Sequence, residues 1–536
     1  MAAKISNRTN GNSINGARVK AGKKDQMQRR DIMAVFVALM MAMFIGSLDQ
    51  TVVSTALPTI VGELGGVEHM MWITTAYMLC STITMPLYGK LGDLFGRKYL
   101  FICALSLFAM GSAVCGCGGT MASLIVGRAM QGLGGGGLMI LSQSIVADIF
   151  PPKERGKYMG IMGAAFGVSA VVGPLLGGWF TDSIGWRWCF WINIPLVLVA
   201  LVLAMKFLPH AAHEGSKRFD IPGFAAMAAA TACLVLALSW GGNSYDWNDP
   251  IIIGLFIGCI VFAVAFVVIE HHAPDPLIPL RFFKNRNFLF ATCVGLLLMV
   301  GMMGVVSYMP TYIQITRGQN ATISGYLMLP MMVGIMITAT LSGVFASKFD
   351  RIKWMPIASA LLAAAACYML STLTTDTSTV IMCVFLFILG FGIGLGQQIC
   401  VLMVQNEFGI EEVGTATSSN NFFREIGATI GSTVVGSVFT ANLTANLTSY
   451  TAGLSGASNL DASSITPALV RSLAQPLQGA VQNAYNDALT PIYFALVFVL
   501  VVAALLACML REVPLAASNE ESGHMADAAA SGAASA

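Results

Sequence analysis

Long apolar runs alternate with short polar breaks along almost the whole chain. Runs able to cross a hydrocarbon core as a helix, about twenty residues each, begin near Ile32, His69, Tyr99, Met121, Tyr158 and Trp188. Two more begin near Phe219 and Pro250, and a further set begins near Phe288, Ser324, Trp354, Thr379, Val413 and Pro491. The pattern is six, two, six, and it predicts an all-α integral membrane protein of about fourteen transmembrane helices. Two six-helix bundles would occupy 31–208 and 288–511, with two inserted, peripheral helices and their linkers in 209–287. Tails 1–30 and 512–536 flank them, and a segment of about 442–490, rich in Asn, Ser, Thr and Ala, is expected outside the bilayer.

Composition makes lipid the main solvent. Apolar residues are 56% of the chain and charged residues 10%, whereas a soluble domain carries about a quarter charged residues. A net charge of +2 gives no nucleic-acid signal. The basic tail leads into the first apolar run with no small-residue cleavage pattern, so no removable signal is expected. Most of the twelve cysteines fall inside apolar runs, where Cys behaves as a small hydrophobe, and neither disulfides nor a metal site is inferred.

Basic residues orient the chain, because Lys and Arg are retained in cytoplasmic loops. The N-terminal tail holds eight, and the loops after spans two, four, six, eight and ten hold three each, from Lys90, Arg97 and Lys98 to Lys348, Arg351 and Lys353. The opposite loops hold only Arg187, Arg317 and Arg471. Both termini are therefore expected in the cytoplasm of a cell whose inner (plasma) membrane the chain crosses. The loop Gly89-Lys-Leu-Gly-Asp-Leu-Phe-Gly-Arg-Lys98 after the second span is faintly repeated by Gly343-Val-Phe-Ala-Ser-Lys-Phe-Asp-Arg-Ile352 after the tenth. Paired halves around a mid-membrane site are a common transporter plan.

Four motifs carry a resemblance. Leu48-Asp49-Gln-Thr51-Val-Val-Ser-Thr-Ala56-Leu-Pro58, Gly89 to Lys98, Arg128-Ala-Met-Gln131-Gly132, and Gly167 through Gly173-Pro174-Leu-Leu-Gly177-Gly178 together resemble the fourteen-helix drug:proton antiporters of the major facilitator superfamily, the EmrB/QacA type. The resemblance covers nearly the whole chain. It implies the major facilitator fold, a latch at Gly89, Asp93, Gly96 and Arg97 that joins the halves in one state, and an antiporter helix motif at Gly173, Pro174, Gly177 and Gly178 associated with export. Independently of the family, Gly89, Gly92 and Gly96 permit a tight turn and close helix approach. Asp93 can pair with Arg97 or with a facing helix end. Pro174 and its glycines predict a bend or close-packed seam.

Charges within spans are costly, about 2.5 to 3.5 kcal/mol each at a helix centre on insertion scales. Asp49, Arg128, Arg424 and Glu425 lie within such runs. Adjacent residues on a helix point about a hundred degrees apart, so Arg424 or Glu425 must seek a partner elsewhere. Asp49 and Glu425 are expected to face the cavity and to couple protons to substrate, with Arg128 and Arg424 tuning them. Gln397, Gln398, Tyr308 and Phe422 are candidates for the substrate path, with Gln405 and Asn406 as further amides. Phe44, Trp72, Tyr77, Met302, Tyr312 and Phe423 are further candidate walls.

Gly132-Leu-Gly-Gly-Gly-Gly137 lacks the Lys-Ser/Thr of a phosphate loop, and His213-Glu214 is no zinc helix. No nucleophile with its base is found, so an enzyme is not expected, nor any cofactor. The reading is a monomeric proton-coupled exporter of amphipathic, cationic drugs or dyes working by alternating access. Its partners would be the small-molecule substrate, protons and the lipid bilayer, with no nucleic acid. The rivals are a dedicated exporter of an endogenous lipid, siderophore or antibiotic, and a non-transporting membrane receptor or scaffold.

Overall fold

The computed structural model describes residues 29–64, 69–209, 219–242, 244–349, 351–451, 465, 467–512 and 514–515. Residues 1–28 and 516–536 of the expected tails 1–30 and 512–536, the linker residues Lys217 and Arg218, and His213-Glu214 lie outside the described residues.

The first six helices are α1 (Arg29–Leu64), α2 (Met70–Phe95), α3 (Arg97–Cys117), α4 (Met121–Ile149), α5 (Pro152–Ser183) and α6 (Trp188–Phe207, interrupted at Ile192). The inserted pair is α7 (Ile221–Trp240) and α8 (Pro250–His272). The rest are α9 (Arg286–Thr316, interrupted at Ser307 and Tyr308), α10 (Ala321–Lys348), α11 (Trp354–Ser371), α12 (Thr379–Asn406), α13 (Val413–Tyr450) and α14 (Gln475–Cys508). Odd-numbered helices run away from one face and even-numbered helices return to it. The face where α1 begins and α14 ends is here the terminal face.

Local chemistry sets many starts. Thr120 and Ser123 form a capping box for α4, Asp220 accepts from Gly223 N–H at α7, and Asn285 and Asn320 accept from Phe288 and Ile323 N–H at α9 and α10. Each side chain satisfies a backbone donor that the first turn leaves free.

Among the described residues thirteen helices are long and apolar enough to cross a membrane. The fourteenth, α2, has 26 residues but carries Thr74, Thr75, Ser81, Thr82, Thr84, Lys90 and Asp93, most of them buried within the protein. It falls short on composition, not length. A second difference concerns the segment expected outside the bilayer. Residues Asn442 to Tyr450 continue α13, and α14 starts at Gln475 with Pro491 inside it. Both extensions are amphipathic rather than uniformly apolar: Phe439, Leu443 and Leu447 pack with Val481, Tyr485 and Leu489, and Tyr312 Oη donates to Asn486 Oδ1 at 2.8 Å. At 1.5 Å per residue α13 is about 57 Å long, well beyond a hydrocarbon core of about 30 Å.

Helices α1–α6 pack among themselves around two apolar cores, and α9–α14 pack around a third. The two bundles meet mainly through α5 against α10 and α2 against α13. The inserted pair departs from a purely peripheral position. α8 turns Ile253, Ile257, Ile260 and Val264 outward, but α7 packs on α2 and also reaches α13, so it lies along the seam between the bundles.

Candidate functional site

A cavity of about 250 Å³ lies between the bundles. Its walls are largely methionine and aliphatic: Met43, Met85, Met139, Met299, Met302, Met303 and Met332 all reach it, with Tyr77 and Phe166. Methionine is unbranched and polarisable, so such a wall adapts to differing shapes. Polar groups are few: Ser47, Gln50, Thr51, Ser81, Gln397, Gln398 and Asn421, and the charges of Arg424 and Glu425. Glu425 is half-buried, and among the described residues its carboxylate has no hydrogen-bond or ion-pair partner. Arg424 Nη1 instead donates to Asn421 Oδ1 at 3.0 Å.

Asp49 does not face this cavity, which corrects the expectation that it would. Its side chain is fully buried between α1, α4 and α6, ion-paired with Arg128. It also accepts from Gln131 Nε2 at 2.7 Å and Asn193 Nδ2 at 2.7 Å. Gln131 Nε2 also donates to Ser112 Oγ at 2.8 Å. Arg128 lies 4.4 Å from the Tyr77 ring centre, and Tyr77 lines the cavity. One aromatic ring therefore separates the buried ion pair from the substrate-sized space. The physical reason is desolvation: a carboxylate this deep requires an opposite charge and several donors, and α4 and α6 supply them. Asn193 and Ser112 escaped the sequence reading, though an amide within an apolar run was the available signal.

At the terminal face the 89–98 segment joins the bundles; it is not the loop the sequence suggested but the last turns of α2, a break at Gly96 and the start of α3. Asp93 Oδ1 accepts from Arg97 Nη2 at 2.7 Å, and Asp93 Oδ2 accepts from Thr415 N–H at 2.6 Å and Thr415 Oγ1 at 2.8 Å. Asp93 thus caps the first turn of α13 from across the seam, a charge-assisted bond aided by the helix dipole. Arg97 donates to Ser144 O at 2.6 Å and pairs with Asp148. Gly96 adopts φ 84°, which a side chain disfavours, and any Cβ on Gly89 would collide with Ser418 and the Gly414 carbonyl. Close by, Asn421 Nδ2 donates to Gln143 Oε1 at 2.8 Å across the same seam.

Gly173 and Gly177 sit against Thr51, Val52 and Thr55, so α5 meets α1 backbone to side chain. Gly178 faces open space and Pro174 lies inside α5. Gln397 and Gln398 reach the cavity. Tyr308 and Phe422 do not, correcting their expected place on its wall. Tyr308 packs at a tilt against Phe439 near the face opposite the terminal face, and Phe422 points away toward Met227, Leu277 and Ile278 beside α7. Gln405 Nε2 donates to Thr417 Oγ1 and, across the seam, to Gln143 O at 3.5 Å, and Asn406 Nδ2 donates to Pro514 O; neither residue lines the cavity. Of the other wall candidates, Tyr77 and Met302 line the cavity, while Trp72 packs on Trp240 and Phe423 on Phe283.

Two helical bundles enclosing a mid-membrane cavity, joined at one face by a polar seam, define a secondary transporter. The chain belongs to the Major Facilitator Superfamily, whose family model matches residues 39–432. It is a multi-pass membrane transporter of small molecules, not an enzyme. It is 39% identical over 411 residues to the multidrug transporter protein MdtP of Bacillus subtilis, covering 77% of this chain and 75% of that protein. An uncharacterized MFS-type transporter of Mycobacterium tuberculosis, Rv1877, is 40% identical over 403 residues, 75% of this chain and 58% of the relative. The proton:xylose symporter XylE shares the fold with a TM-score of 0.60 and 16% identity, over 93% of this chain and 100% of that one.

Proposed function

We propose that the chain exports amphipathic cations across the cytoplasmic membrane in exchange for protons, as a monomer with both termini in the cytoplasm. The observation that carries this reading is Glu425: a carboxylate without a partner, set in a methionine-lined cavity. An unpaired carboxylate in such surroundings has two ways to be neutralised, a proton or a cationic substrate. Competition between them at one group is antiport. The name of the Bacillus relative as a multidrug transporter agrees with a broad substrate range.

The arrangement of basic loops supports assigning the terminal face to the cytoplasm. Bonds between the bundles gather there, so in this conformation the cytoplasmic route is shut. Opening it requires Asp93 to leave Thr415, which is the latch role we assign to Gly89, Asp93, Gly96 and Arg97. Asp49 with Arg128 forms a second, enclosed ionisable pair, coupled to the cavity through the Tyr77 ring. We assign it support of the coupling step rather than substrate contact. One charge moving through 100 mV supplies about 2.3 kcal/mol, and about 1.4 kcal/mol sustains each tenfold concentration ratio.

Reconstituted protein tests this with ethidium as the probe, driven by an imposed pH difference. Gradient-dependent ethidium movement that Glu425→Gln abolishes is the expected result. Movement that ignores the gradient, or that Glu425→Gln leaves intact, sinks the proposal.

A further inference from the structure

Asn421 stands where the seam and the cavity meet. Its Nδ2 donates to Gln143 Oε1 of the first bundle at 2.8 Å and to its own helix at Thr417 O at 2.9 Å. Its Oδ1 accepts from Arg424 Nη1 at 3.0 Å. A single amide therefore joins the opposite bundle to the guanidinium that shares the cavity wall with Glu425. Arg424 is buried, and its Nε has no partner among the described residues.

The seam around this amide is incompletely satisfied. Gln143 Nε2, Gln405 Oε1 and Asn420 Oδ1 are likewise buried without a partner. Each such group costs free energy in a dry seam and regains it when water enters. The closed seam is thus a conformation that hydration relieves, as a joint that must open repeatedly requires.

We propose that Asn421 is a positioning residue that ties the charge state of Glu425 to the closure of the seam; this rests on the antiport reading above. With the seam shut, Gln143 fixes the Asn421 amide, whose carbonyl draws the Arg424 guanidinium away from Glu425, and the carboxyl holds its proton. When the bundles part at the terminal face, the Gln143 bond breaks and the amide is free to turn. Arg424 then swings toward Glu425, its positive charge favours the carboxylate, and the proton leaves the Glu425 carboxyl for water on that side. The site is left as an anion facing the compartment where cationic substrate loads. The titratable groups facing this pair from the packed helices are Tyr77 on α2 and Cys400 on α12. The cavity residues of α1, α4, α5, α9 and α10 are not ionisable.

Two variants of the full chain test the tie from opposite sides: Asn421→Ala removes both links, and Gln143→Leu removes only the one across the seam. Ethidium binding is read by its fluorescence, gradient-driven accumulation in liposomes by uptake, and seam opening by hydrogen–deuterium exchange of peptides spanning 413–421 as pH is varied. In both variants we expect accumulation down about tenfold, a usual strength for coupling between sites, and in Gln143→Leu, whose residue lies outside the cavity wall, ethidium binding close to the parent. Exchange at 413–421 should follow pH in the parent and lose that dependence in both variants. The proposal is overturned if exchange in the parent ignores pH, or if either variant keeps the parent's pH response. An effect of Asn421→Ala that Gln143→Leu fails to reproduce also overturns it, because the tie then does not cross the seam. If the parent moves no ethidium under any gradient, the antiport reading fails, while the exchange measurement still decides the role of Asn421.

Discussion

Charged side chains divide into two kinds according to what surrounds them. Asp49 has a charge partner and two amide donors, so it is held still; Glu425 has none, so it is available. Different outcomes follow for similar substitutions. Asp49→Asn leaves Arg128 as a buried cation without its counter-charge, which should lower stability by about 3 to 5 kcal/mol, read as a loss of melting temperature in detergent. Pairing it with Arg128→Met should recover part of that loss. Glu425→Gln should leave the melting temperature near the parent's while cutting gradient-driven ethidium transport by at least about tenfold, or 1.4 kcal/mol. The adjacency of Arg424 and Glu425 was legible in the sequence, as was the geometric reason they do not simply pair. That Asn421 holds Arg424 was not, since three residues' spacing suits many helix-surface contacts.

At the scale of elements, helices approach closely where side chains vanish and are held where ends are capped. Gly89→Val would drive a side chain into Ser418 and the Gly414 carbonyl, so α2 and α13 would be forced apart. Transport should fall and exchange at 413–421 should rise, because the first turn of α13 loses its cover. Outside the spans, Glu63 accepts from Arg187 Nη1 and Trp186 Nε1, each at 2.7 Å, tying the end of α1 to the start of α6. The Arg187 bond first, then the Trp186 bond, hold the Glu63 carboxyl below its ordinary value. A depressed carboxyl contributes stability that is full above its unfolded value, near about 4.3, and is lost as pH falls through the folded one. The melting difference between the parent and Glu63→Gln should therefore be present at neutral pH and vanish in strong acid; a difference that persists there argues against the tie. Helix starts were well marked by apolar onset and caps, within a few residues for most spans. Pro491 misled because α14 begins far upstream as an amphipathic helix, whose buried stripe does not read as a continuous apolar run.

For the whole molecule, the seam sets which face is closed. Asp93→Asn keeps a side chain able to accept one hydrogen bond but removes the charge facing Arg97 and the α13 helix end. Bonds to charged groups are worth about 1.5 to 3 kcal/mol, so the balance should move toward an open terminal face by about tenfold or more. Exchange at 413–421 and at 141–148 should rise together. A rise at one segment alone would mean that the two walls do not part as one. The inserted pair belongs to this scale as well, because α7 touches both α2 and α13, and no pattern within α7 announces that placement.

Hydrophobic periodicity by itself determined that the chain is a bundle of membrane-spanning helices in a six, two, six order, and the basic residues favoured one orientation. Both are properties of local chain chemistry: an apolar run of sufficient length must bury its backbone bonds in a helix, and Lys and Arg resist crossing lipid. Only the tertiary structure decided which intramembrane charges are satisfied. Asp49, Arg128, Gln131 and Asn193 come from three helices, and their meeting depends on how α1, α4 and α6 rotate against one another. The same packing leaves Glu425 in the cavity without a partner and turns Phe422 away. Rotation about a helix axis is fixed by neighbours across the bundle, and a linear sequence holds that information only jointly, in residues far apart along the chain.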